Sequence, residues 1–267
     1  MGSGASWIVK KRILPGDKKW RCISPSGAAF CEVDVRKIGS TAVAVVLALL
    51  CFGPGDAGAW FDETHLAIAK AAGYRKWFNA AGADIARIKV GRREGANHYS
   101  NHRRGMTISA AEVREQILRY DTFDRNGHLY GAIVASFRNA VAVEKGGGYG
   151  HHHLAYCVHY IGDLSMPLHN TDPSPFARRT HLKNDGIVNR EVLDNLGRIR
   201  IYPIRIDSED DLIDEIVRIA NLSLALGWRL EDENRLMTPE EAYRQLGHSA
   251  SLLSAVLNAF HDQTKAK

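Results

Sequence analysis

The stretch His159-Tyr160-Ile161-Gly162-Asp163-Leu164-Ser165-Met166-Pro167-Leu168-His169, followed by His181-Leu182-Lys183-Asn184-Asp185, constrains this chain more than any other. His159 and Asp163 are four residues apart, which on a helix sets both on one face about one turn from each other. His181 and Asp185 repeat that offset. Imidazole and carboxylate together suit zinc, an ion that accepts nitrogen and oxygen donors alike. Two such pairs with His169 between them point to a multinuclear metal site.

Further donors depend on how the chain is processed. Residues 38–52 read IGSTAVAVVLALLCF, an apolar run behind Arg36 and Lys37. Gly53-Pro54-Gly55 and Asp56-Ala57-Gly58-Ala59 follow it. Charged n-region, apolar h-region and A-x-A site make a secretory signal peptide. The run falls short of the roughly 20 residues that span a bilayer; the alternative is an uncleaved anchor. Residues 1–34 fit no part of such a peptide, and translation from Val35, whose GUG codon can initiate, would give a normal one. Leu50 before Cys51 does not suit a lipobox. The expected boundaries are a leader at 1–59 (1–34 as an over-long start, 35–59 as the signal peptide) and one multi-helix domain at 60–267. Cleavage between Ala59 and Trp60 would make the protein secreted or periplasmic.

That division changes what charge and cysteine mean. The leader holds 8 of the 35 Lys and Arg and 4 of the 30 Asp and Glu, which leaves 27 basic and 26 acidic residues. The pI near 9.0 therefore mostly describes the leader and is no evidence for nucleic-acid binding. Cys157 is the one cysteine beyond the leader, so no internal disulfide framework is expected there. All 12 histidines lie in 60–267.

Periodicity predicts a mostly helical domain. Residues 63–78 are amphipathic, Ser109 and Glu112 form a capping box, and 130–145 read as a helix ending at a glycine run. Residues 151–163 carry the motif. Residues 208–226 open with acidic residues that suit the helix dipole, and Thr238-Pro239-Glu240-Glu241 caps a helix running to about 260. Residues 198–206 read as a short strand or extended loop. The glycine run 146–150 lacks the Lys-Ser/Thr of a phosphate cradle and serves as a connector.

With Trp60 at a mature N-terminus, its α-amine and carbonyl oxygen can chelate a metal. Adding His65, Asp84 and His98 to His159, Asp163, His169, His181 and Asp185 gives nine donors. Nine suits three zinc ions with some bridging and some open positions. His102, His128, His248 and His261 read as ordinary histidines; His152, seven before His159, shares that residue's face and is a candidate support.

The chain resembles the zinc-dependent phospholipase C / single-strand-specific nuclease superfamily, on the H-Y-[IL]-G-D-x5-H pattern at His159 to His169 and matching motifs from Trp60 to about Asn189. The resemblance implies a secreted all-α phosphodiesterase with a trinuclear zinc site and a mature N-terminal Trp. It implies Trp60 and His65 on one zinc, with Asp163 bridging. The second zinc takes Asp84, His98, His159 and Asp163, and the third His169, His181 and Asp185. Asp84 is also the implied base or orienter of the attacking water. Asp185 and the Trp60–His65 spacing look like the nucleases, whereas residues 181–189 and His159-Tyr160 look like the phospholipases. Near-neutral charge leans to a phospholipid head group over a single-stranded nucleic acid. A zinc-binding protein without activity is the third reading. Arg178 and Arg179 lie between His169 and His181 and are candidate phosphate contacts, with Tyr99 as a candidate substrate contact. Arg92, Arg93, Arg103 and Arg104 flank His98 and read as solvated charge. No stable protein partner is implied, and a monomer is expected.

Overall fold

A computed structural model describes residues 19–23, 30–34 and 60–265. The chain divides into two compact units, Met1–Asp56 and Ala57–Lys267. In the first, β1 (Lys19–Ile23) pairs antiparallel with β2 (Phe30–Asp34), with Cys22 opposite Cys31 in the register. The expected signal peptide at 35–59 lies outside the described residues.

The second unit is all-α among its described residues. Its helices are α1 (Asp62–Ala71), α2 (Gly82–Val90), a single turn α3 (Arg92–Gly95), α4 (Ala110–Ile117), α5 (Leu129–Lys145), α6 (His151–Leu164), α7 (Pro175–Asp185), α8 (Glu209–Asp232) and α9 (Pro239–Lys265). Short 3₁₀ turns occur at Trp77–Asn79, Pro167–His169 and Leu196–Arg198. None of the described helices is long and apolar enough to cross a membrane.

Helix α6 is the hub. It packs on α5 and also touches α1, α2, α8 and α9. Every residue from Cys157 to Leu164 is buried. A helix buried all round needs a polar residue only where something meets it, and the polar residues here are the motif donors. Helix α5 starts at His128 without a side-chain cap of its own. Gln116 supplies one from α4: its Oε1 accepts from the backbone N–H of Tyr130 (3.1 Å) and Gly131 (3.3 Å).

Several expectations shift in detail. The helix expected over 63–78 stops at Ala71, because Gly73 takes φ +83° and breaks the ladder. The segment expected at 198–206 as a strand or extended loop begins in the 3₁₀ turn Leu196–Arg198, and 200–206 have no regular secondary structure. Ser109 accepts from the Glu112 N–H, but the Glu112 carboxylate leaves the expected capping box to bond His102 Nε2 at 2.6 Å. A full box appears instead at Ser208 and Asp211. Helix α2 was not anticipated.

The Thr238 box forms as expected. Thr238 N–H donates to Glu241 at 2.9 Å, and Glu241 N–H to Thr238 Oγ1 at 3.2 Å. Arg235 adds a two-pronged contact to the same carboxylate at 2.7 and 2.9 Å. Arg235 is the main cause that holds the Glu241 pKa down at about 2. A depressed carboxylate stabilises the fold above its unfolded pKa and loses that contribution as pH falls through the folded value. Glu241→Gln should therefore lower the melting temperature at pH 7. The expected cost is about 1 kcal/mol after solvent screening, or about 2–4 °C. The gap from wild type should close as pH drops from about 4.5 toward 2; a gap independent of pH would show that the charge is not its source.

Candidate metal centre

Five segments converge on Asp163. His65 arrives on α1, Asp84 on α2, His98 just after α3, His159 and Asp163 on α6, and His169 in the turn that follows α6. The Asp163 side chain is fully buried, and four imidazoles surround it. His98 Nδ1 lies 3.0 Å and His159 Nε2 3.3 Å from one oxygen. His65 Nε2 lies 3.3 Å and His169 Nδ1 3.4 Å from the other. Asp84 stands 3.7 Å from His98 Nδ1 and 3.8 Å from His159 Nε2. On α7, His181 Nε2 lies 3.4 Å from Asp185, and its ring is 5.0 Å from that of His169.

Three groups could each hold a metal ion: His65, Asp84 and His159; His98, His159 and Asp163; His169, His181 and Asp185. All eight side-chain donors expected from the sequence are therefore brought together. The grouping differs from the expected one at Asp84, which joins His65 and His159 and falls outside the His98, His159 and Asp163 group. Trp60, two residues before α1, is fully buried in the core.

The chemistry of the set fits a cation. His159 Nδ1 faces the Ala80 carbonyl oxygen at 2.7 Å. A carbonyl only accepts, so Nδ1 carries the proton and, in the neutral ring, Nε2 turns a lone pair inward. That lone pair faces carboxylate oxygens and, at 3.2 Å, His98 Nδ1. Both oxygens of Asp185 are buried without a hydrogen-bond donor. With only His181 Nε2 among the described residues in ion-pair range at 3.4 Å, a charge on this carboxylate is costly to bury, by several kcal/mol or more. A divalent ion satisfies lone pairs and carboxylates together.

The ionisation of the cluster reflects the same crowding. Burial, with repulsion from Asp163 and Asp84, pushes Asp185 well above the usual carboxylate range. Burial would also raise Asp163, but the charges and contacts of His159, His169 and His65 hold it well below. Burial, reinforced by His159, lowers His65 to about 4. His98 is raised to about 9 against its own burial, chiefly by Asp163 and Glu94.

Glu94 escaped the sequence reading. It is buried, accepts from Tyr160 Oη at 2.6 Å and Asn97 Nδ2 at 3.1 Å, and lies 3.6 Å from His98 Nε2. Its signal was present: Glu94 and His98 have the same four-residue offset as the motif pairs. His128 bonds Asn97 and His248 bonds Tyr202, ordinary roles as expected. His152 is exposed against His153 and Tyr156, which overturns its candidacy as a support. Arg178 donates to the Pro173 carbonyl and Arg179 to Asn234, and neither contact is to a cluster residue. Tyr99 follows His98 and reaches the Asp124 carbonyl at 3.4 Å.

Gly162 lets α1 approach α6. A Cβ there would sit 2.4 Å from His65 Nδ1 and 2.7 Å from its Cε1. That ring is stacked on His159 with centroids 3.9 Å apart and has nowhere to retreat. Gly162→Ala should cost about 1–3 kcal/mol by overpacking and weaken metal retention. A variant with wild-type melting temperature and metal content would show that the ring shifts freely.

No protein-family model matches this chain, and no curated protein matches it.

Proposed function

We propose that this protein is an exported zinc-dependent phosphodiesterase holding three zinc ions and hydrolysing phospholipids at the head-group phosphate. The observation that carries the reading is the convergence of eight histidine and aspartate side chains from six segments on one largely buried cluster, with the Asp185 carboxylate buried without a donor. The superfamily resemblance supports the reaction class. The near balance of charge in 60–267 supports a lipid over a polyanion. His65, Asp84, His98, His159, Asp163, His169, His181 and Asp185 would hold the metal, with the Trp60 backbone joining after cleavage. Bound there, zinc would neutralise the nonbridging phosphate oxygens and bring the pKa of water toward about 7.

The chain's own residues do the rest. Among the cluster carboxylates, Asp84 alone reaches solvent, with its side chain 26% exposed against 0% for Asp163 and Asp185. Substrate and water therefore meet Asp84 first. Asp84 accepts a proton from the water that attacks phosphorus; the bond from phosphorus to the glycerol oxygen breaks, and that oxygen takes up a proton from solvent, leaving a phosphorylated head group and diacylglycerol. Ala80, through its carbonyl, fixes the His159 ring, and Glu94 stands behind His98.

Asp84→Asn should reduce turnover at least about a hundredfold, the scale of a lost general base, while metal content falls far less. Unchanged turnover rules out that role. The class is tested by a paired assay of phosphocholine release from vesicles and cleavage of single-stranded DNA, each with and without chelator. Chelator-sensitive cleavage of DNA alone would replace the phospholipase reading with the nuclease one that Asp185 resembles. Neither activity in protein with metal bound would favour a zinc-binding protein.

A further inference from the structure

Helix α2 carries Asp84 into the cluster yet leaves large aliphatic side chains in water. Ile85 is 61% and Ile88 84% exposed, with Phe78, Val90 and Tyr149 also exposed. Phe78, Ile85 and Tyr149 line one cleft with His152 and Tyr156. Single exposed apolar residues need no explanation, but a contiguous group marks an interaction surface.

Charge identifies the partner. Residues 75–93 contain six Lys and Arg and one acid, Asp84 itself. The rest of 60–267 holds 21 basic and 25 acidic residues, so cationic charge is concentrated in this stretch of chain, where Arg87 faces Asp84 at 3.9 Å and Arg93 faces Asp121 at 3.3 Å. Arg75, Lys89, Arg92 and Arg93 are exposed. Lys76 lies over the Tyr149 ring, 4.7 Å from its centroid. Exposed aliphatic side chains on a helix flanked in sequence by Arg75, Lys76, Lys89 and Arg92 suit an anionic lipid surface: the apolar group enters the acyl boundary while the cations stay at the phosphates. Phe78 and Tyr149 offer aromatic faces on which bases could stack, but Ile88, the most exposed side chain of the group, and Ile85 are aliphatic and suit an acyl boundary rather than a base.

We propose that residues 78–90, with Tyr149, form a docking surface for an anionic phospholipid bilayer, and that docking brings the Asp84 side of the cluster to the head groups. The inference deepens the phospholipase reading and rests on it for purpose, though binding itself requires no turnover.

The test is co-sedimentation of the purified full chain with vesicles of phosphatidylglycerol and phosphatidylcholine, against vesicles of phosphatidylcholine alone, comparing wild type with the double variant Ile85→Ser/Ile88→Ser. Both proteins carry the same apolar 38–52 stretch. Backbone hydrogen exchange over residues 76–93 localises the contact. Expected are slowed exchange over 76–93 on anionic vesicles and about tenfold weaker partitioning of the double variant. Partitioning should also weaken about tenfold on phosphatidylcholine alone. The variant should match wild type in metal content and melting temperature. Equal partitioning of the two proteins, unprotected 76–93 amides, or protection of that segment by oligo(dT) but not by vesicles overturns the proposal. Hydrolysis of bis(p-nitrophenyl) phosphate, a soluble diester, separates the two ideas. Hydrolysis without docking leaves the enzyme reading and removes the surface; docking without hydrolysis of any diester does the reverse.

Discussion

Asp163→Ala should produce the largest single loss in this protein. Each Asp163 oxygen faces two imidazoles, at 3.0 and 3.3 Å on one side and 3.3 and 3.4 Å on the other. Removing the carboxylate deletes the one anion these four rings share, in a place water does not reach. Breaking a buried ionic contact by removing one partner costs about 3–5 kcal/mol, or about 10 °C in melting temperature for a domain of this size. Metal content should fall with it. Elemental analysis and a thermal melt on the same sample give both numbers. A variant that keeps wild-type values in each would show that Asp163 is not the centre of the site.

Chelation should come second. An ion that binds only the folded chain stabilises it by about 4 kcal/mol when present at a thousandfold its dissociation constant. Prolonged treatment with a chelator should lower the melting temperature by about 10 °C and abolish phosphodiester hydrolysis. Added zinc should restore both. The pH dependence has a definite sign. Imidazole must be deprotonated to ligate, so protons displace the metal as pH falls; His98, raised to about 9, takes up its proton before His65, lowered to about 4. His159 Nδ1 is committed to the Ala80 carbonyl, so the proton that competes with metal adds at Nε2. Activity and stability that survive both chelator and acid would exclude a metal from this cluster.

Much of this centre was legible in the sequence because helical spacing is a local property. The His159–Asp163 and His181–Asp185 pairs lie on α6 and α7, and a four-residue offset fixes their shared faces whatever surrounds them. The capped starts at Ser109, Ser208 and Thr238 are local in the same way. Helix α2 was not legible: its aliphatic residues do not turn to a core, so Ile85 and Ile88 blur the pattern that marks an amphipathic helix. Glu94 was hidden in a four-residue turn between α2 and His98.

The amino-acid order by itself determined the all-α domain, the donor types and their pairing along each helix, since these follow from backbone geometry over one or two turns. Only the tertiary structure decided that segments up to 120 residues apart, from His65 to Asp185, meet at one place. It alone showed that Asp163 takes four rings, that Gly162 admits His65, and that His152 faces His153 and Tyr156. Those outcomes depend on how closely helices pack, and close packing is a property of the whole core rather than of any stretch of chain.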